Sequence, residues 1–200
     1  METLVPAARH KKASRKIPEG LVYEIVRGRP VYYRGYREVL DGTKHIETIM
    51  AESSLQAWLK ARLGSLLLTL LEPKGYEIAS GELGLLMGDG SRRGADIAVY
   101  RAEDFYLSNH FLSIPPEVVV EIDIQASLEN QTEMDYVLEK IEDYLRFGVK
   151  QVIWVFTSSR KIMVATPAKP WLTMGWETTV ETIGGASFNL ETILAGRRVR

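Results

Sequence analysis

Apolar positions along this chain recur with two different periods, and each change of period marks the boundary of an element. From Leu21 to Tyr33, apolar and aromatic residues flank Gly28–Arg29–Pro30, which predicts a short strand pair around a turn. A helix comes next. Leu55, Trp58, Leu59, Leu63, Leu66, Leu67 and Leu70 repeat at helical spacing, Ser53 and Gln56 form a capping box ahead of them, and Pro73 and Gly75 end the run. Three strand-like segments follow, near Tyr76–Met87, Ala95–Tyr100 and Glu117–Ile124, separated by GDGSRRG and the longer AEDFYLSNHFLSIPP. The glycines at 81, 84, 88 and 90 fit neither a dinucleotide nor a phosphate loop and read as a bulge and a hairpin turn. A second helix is predicted over Glu133–Phe147, capped by Thr132 and Asp135 and stopped by Gly148. Its inward face is Met134, Val137, Leu138, Ile141 and Leu145. QVIWVF then turns at Thr157–Arg160 into KIMVAT, and WETTVE is a candidate final strand. The order α-β-β-β-α-β, with additional N- and C-terminal strands, predicts one α/β domain over residues 18–200, a central mixed sheet flanked by helices. Residues 1–17 carry Arg9, Lys11, Lys12, Arg15 and Lys16 with little that packs, and read as a mobile basic arm.

Composition removes several classes of chemistry. With no cysteine in 200 residues, disulfides, thiolate metal sites and cysteine nucleophiles are excluded. Lys and Arg number 25 against 26 Asp and Glu, so no whole-molecule field draws in nucleic acid and local patches would have to hold it. No apolar run of about 18 residues occurs, and no apolar signal core follows the basic N-terminus, which points to a cytoplasmic protein with no membrane association. The three histidines, His10, His45 and His110, have no metal-site spacing, and there is no G-x-S-x-G elbow. Trp58 and Trp154 read as core packing, while Trp171 and Trp176 bracket a loop.

Acids inside apolar strands are the main chemical signal. In EVVVEIDI, Val118, Val120, Ile122 and Ile124 share one face, and Glu117, Val119, Glu121 and Asp123 share the other. Asp96 stands between Ala95 and Ile97 in a segment suited to a central strand. A buried carboxylate persists only when paired, protonated or bound to a cation, whereas the same pattern on a half-exposed sheet simply faces water. Lys140 falls at the edge of the second helix's apolar face, where a long stem can lie along the sheet and carry its ammonium to a site, or to solvent. Arg92 and Arg93, just ahead of the Asp96 strand, are candidate contacts to a nucleic-acid backbone.

These residues in this order resemble the PD-(D/E)XK nuclease superfamily and, within it, the Uma-type family of bacterial restriction-endonuclease relatives. The resemblance runs through YEIVRGRPVYY, AESSLQAWLKARL, RRGADIAVY, PPEVVVEIDIQAS and DYVLEKIEDYLRFGVKQVIWVF. It implies a restriction-endonuclease-like core and a metal-dependent endonuclease hydrolysing DNA phosphodiester bonds. Asp96 and Glu121 would be metal ligands for Mg, with Mn as a substitute, and Lys140 would be the third catalytic residue. Tyr144, one turn on, would meet phosphate or position Lys140, and Glu52 and Glu82 are candidate additional acids. Two departures stand out: Ala95 replaces the family's proline, and Asp123 occupies the position of the superfamily lysine, as a third ligand or an exposed acid. The implied partner is DNA, in a homodimer, with no organic cofactor. The alternatives are a catalytically inactive nucleic-acid-binding or assembly protein of the same fold, or another metal-dependent hydrolase.

Overall fold

A computed structural model describes residues 17–128 and 132–199. The basic arm therefore lies, apart from Ile17, outside the described residues. The strand pair read around Gly28 is a hairpin of β1 (Val22–Val26) and β2 (Arg29–Tyr32). Arg27 and Gly28 both adopt positive φ in its turn, which matches the right-handed twist of the strands. Two short helices, α1 (Tyr36–Leu40) and α2 (Ile46–Met50), lead into α3 (Ser54–Leu71). Both halves of the Ser53–Gln56 capping box are made, and Leu59, Leu63, Leu67 and Leu71 are fully buried along one stripe. Each such leucine contributes about 1.5–3 kcal/mol through burial alone.

The next three strands, β3 (Tyr76–Leu86), β4 (Arg92–Arg101) and β5 (Val118–Ile122), precede α4 (Glu133–Phe147), whose bounds, Thr132–Asp135 box and Gly148 cap agree with the sequence reading. β6 (Gln151–Phe156) and β7 (Lys161–Thr166) follow. Beyond them the outcome differs from expectation. A strand, β8 (Lys169–Gly175), occupies the segment read as a loop, and WETTVE yields only the two residues of β9 (Val180–Glu181), paired with β10 (Ser187–Phe188) ahead of α5 (Leu190–Leu194). The physical reason is β7, which pairs with Lys169–Gly175 directly across a short turn. Trp176 lies in the core, not at a loop edge, and its indole donates to the Lys161 carbonyl at 3.3 Å.

The main sheet runs β2-β1-β4-β5-β6-β7-β8, with β3 also paired to β4. β5 and β6 are parallel and the other pairs antiparallel, so the sheet is mixed. Alternation then assigns two cores. Ile97, Val99, Val118, Val120 and Ile122 pack with the leucines of α3 and with the C-terminal segment. Ala98, Val119, Val152 and Trp154 pack with Tyr136, Val137, Ile141 and Tyr144 of α4. Both faces of β5 are therefore covered, and its one acid, Glu121, does not face water, because α4 lies over the side on which it stands.

Candidate active site

β4 and β5 pair only as far as Ile97 and Val120, and beyond that point the strands part. Asp96, the next residue of β4, fills the gap: its Oδ2 accepts a 2.7 Å bond from the Ile122 amide, a donor that the ladder would otherwise leave orphaned. Its other oxygen, Oδ1, is 2.6 Å from the ammonium of Lys60 on α3. Lys60 also bonds Glu52, just ahead of the helix cap. One turn before Lys60, the Gln56 amide donates to the Ile122 carbonyl at 3.3 Å, which fixes this face of α3 across the splayed strands. The fourth participant comes from β3. Between Ser80 and Leu83 the register slips, with Gly81 and Glu82 at φ of 99° and 60°, and this bulge turns Glu82 toward the others. Oxygens of Glu52, Glu82 and Asp96 lie within 4.8 Å of one another. Such a set of hard oxygen donors can hold a divalent metal. Burial raises the Glu82 carboxyl above its ordinary range; Lys60 opposes the shift, and Asp96 and Glu52 add to it.

A second cluster lies under α4. Glu121 is 3% exposed, and its Oε1 is 3.2 Å from the Lys140 ammonium and 2.5 Å from the Tyr144 hydroxyl. Lys140 also lies 2.9 Å from Oε1 of Glu24 on β1. Glu24 Oε2 accepts from Arg93 at 2.8 Å and from the Tyr136 hydroxyl at 2.7 Å, and Arg93 reaches Asp143 at 2.5 Å. Burial alone would raise Glu24, but Lys140 and Arg93 outweigh it and hold the carboxyl at about 2. Glu121 goes the other way. Burial lifts it to about 8 against the pull of Lys140, with Asp96 adding to the rise. The charges explain the split: Lys140 is shared between Glu24 and Glu121, and Glu24 has Arg93 as well, so on Glu121 burial outweighs the pull of the cation. Lys140 would be lowered by burial, yet Glu121 and Glu24 beside it drive its pKa well upward.

Set against the sequence reading, the structure gathers Asp96 with the two accessory acids, Glu52 and Glu82, and gathers Glu121 with Lys140 and Tyr144. Lys140 is not at the boundary of a face but 1% exposed, reaching the site only through Glu121. Asp123 is neither a metal ligand beside Asp96 nor an exposed acid. It sits at φ 59° just past β5, where aspartate is tolerated, and its carboxylate accepts from the Thr157 amide at 2.7 Å and the Thr157 hydroxyl at 2.5 Å. Arg93 is likewise corrected as a backbone contact, since its side chain is fully buried between Glu24 and Asp143. Arg92, its neighbour, is exposed and lines a cleft of about 490 Å³ together with Tyr23, Tyr33, Glu82 and Phe111.

Lys60 and Glu24, and the contact Gln56 makes with Ile122 beyond its capping role, are not foreseen by the sequence reading. Gln56 and Lys60 are polar residues one turn apart on a helix otherwise rich in leucine, with Glu52 four positions earlier just ahead of its cap, a signal that reading the helix for its apolar repeat passes over. Among the described residues no helix is long and apolar enough to cross a membrane.

A family model described as "Uma2: Putative restriction endonuclease" matches residues 38–196. No curated protein matches the chain. Among solved structures, a protein described as a putative nuclease belonging to DUF820, from Anabaena variabilis, is similar over 86% of this chain and 89% of its own. Its TM-score is 0.63 and its sequence identity 15%, a likeness of fold.

Proposed function

The chain belongs to the Uma2 family, and on that premise we propose that it is a divalent-metal-dependent endonuclease that hydrolyses DNA phosphodiester bonds. The observation that carries this reading is the trio of Glu52, Glu82 and Asp96, brought within 4.8 Å at the point where β4 and β5 part. Mg fits such hard oxygen donors, and Mn substitutes readily. A bound divalent ion would supply a Lewis acid for a phosphate oxygen and a water of lowered pKa. The chain's own groups do the rest. Asp96 is held rigidly by the Ile122 amide, so one oxygen stays aimed into the site. Lys140 and Tyr144 hold Glu121 beside it, and Lys140 acts as a positioning residue behind the site and not as a group that touches phosphate. Arg92 would meet the DNA backbone along the cleft. A homodimer, which would let two sites cut two strands, and a cytoplasmic location belong to the same reading.

The test is to incubate purified protein with supercoiled and linear DNA in Mg, in Mn and in EDTA, beside Asp96→Asn. Cleavage should require metal and fall at least 100-fold in the variant, which corresponds to about 2.7 kcal/mol of barrier. Cleavage that is unchanged in EDTA or in Asp96→Asn would overturn the assignment. Salt-sensitive DNA binding without cleavage in any metal would favour the catalytically inactive alternative.

A further inference from the structure

The ammonium of Lys60 stands where a cation belongs. It lies 2.6 Å from Asp96 Oδ1 and bonds Glu52, two of the three acids that form the trio. Its side chain is 10% exposed, so the site's own wall provides this counter-ion, while Glu82, the third acid of the trio, is exposed. A divalent ion taking these same oxygens at roughly 2.1 Å would bring a second cation into direct contact range of the ammonium. The two cannot both be seated. Lys60 would leave Asp96, and its flexible four-carbon stem, anchored on α3, would keep the head beside the acids, within reach of a phosphate held there.

We propose that Lys60 is a resident counter-ion of the acid trio, which competes with the metal for Asp96 and Glu52 and, once displaced, becomes the lysine that meets the scissile phosphate. This inference rests on the nuclease reading for its second half only. It also answers the absence of lysine at position 123, where Asp123 is bonded to Thr157, and the enclosure of Lys140, whose ammonium is held by Glu24 and Glu121. α3 presents Lys60 from the opposite side of the site to α4, so the helix that closes over the strand gap also delivers the cation.

The experiment measures Mn binding to metal-stripped wild type, Lys60→Met, Lys60→Gln and the double variant Lys60→Met/Asp96→Asn, by isothermal titration and by the loss of the free-ion Mn spectrum. Both single variants should bind Mn at least about tenfold more tightly than wild type, because a unit positive charge has left the coordination sphere. The double variant should lose that gain. Equal or weaker binding in folded Lys60→Met and Lys60→Gln, checked by circular dichroism, overturns the proposal, as does a gain that survives Asp96→Asn. DNA cleavage at saturating Mn is read separately. Tighter binding with cleavage reduced at least about 100-fold supports both halves. Tighter binding with unimpaired cleavage retains the counter-ion and overturns the phosphate role. Tighter binding with a wild type that cleaves no DNA retains the counter-ion and removes the nuclease reading.

Discussion

Two lysines approach this sheet from opposite sides, and their surroundings differ in kind. Lys140 is sealed under α4, its ammonium divided between Glu24 and Glu121 and ringed at 5.7 Å by Tyr23, Tyr144 and Trp154. Lys60 sits nearer the rim, its side chain 10% exposed, on Asp96 and Glu52 and beside the exposed Glu82. In the sealed cluster every charge has a fixed partner and nothing can leave without exposing another charge to a low-dielectric core. At the rim a cation can be exchanged for a different one. A lysine near two carboxylates is therefore a part of the frame or a part of the chemistry according to whether water and ligands can replace it.

The largest effect should come from the sealed side. Glu24→Ala removes the carboxylate shared by Lys140, Arg93 and Tyr136, and should cost about 3–5 kcal/mol, because two buried cations lose their common partner. Glu52→Ala at the rim leaves Lys60 on Asp96 with access to water, and should cost about 1 kcal/mol. Urea unfolding in the presence of a chelator compares the two directly. Equal costs would erase the distinction between frame and site.

The pH dependence of stability sharpens the same contrast. Glu121 has a folded pKa of about 8, raised by burial above its ordinary 4.5, so the folded state binds the proton more tightly than the unfolded chain does. Its contribution is complete below about 4.5 and is lost as the pH rises through 8, at a slope of up to about 1.4 kcal/mol per pH unit between them. Glu121→Gln, a neutral isostere, should flatten unfolding free energy over that window in metal-free protein and leave the variant the more stable at pH 8. Glu82 is also raised, but it is exposed, so Glu82→Gln should flatten the curve less. A larger change for Glu82→Gln would put the constrained proton at the rim.

How far the sequence carries follows the same division. The two long helices and their capping boxes were legible because caps and apolar stripes are local in the chain: Ser53 with Gln56, Thr132 with Asp135. Asp96 and Glu121 stood out because an acid in a central strand breaks a local preference. What joins them was not legible. Glu24 reaches Arg93 across 69 positions, and Gln56 reaches Ile122 across 66. Such pairings depend on which strands become neighbours, and β1 meets β4 through a single bridge, Ile25 to Arg92, that no periodicity announces. Asp123 looked like a defect in a motif because its partner, Thr157, lies at the end of a parallel strand formed later in the chain.

Arg92 and Arg93 reduce the contrast to two consecutive residues, and give the smallest expected effect. Alternation along β4 sends Arg93 inward to Glu24 and Asp143 and leaves Arg92 at the cleft that Glu82 also lines. If Arg92 contacts a phosphate, Arg92→Ala should weaken DNA binding by a few-fold, uniformly across sequences, and reduce the slope of log affinity against log salt by about 1. Its unfolding free energy should stay within about 0.5 kcal/mol of wild type, as for most surface substitutions. Arg93→Ala should do the reverse, destabilising the fold by removing the buried guanidinium that Glu24 and Asp143 share. Fluorescence anisotropy over a salt series, set beside urea unfolding of both variants, decides the matter. An unchanged salt slope in Arg92→Ala would remove this residue from the DNA surface while leaving the buried role of Arg93 untouched.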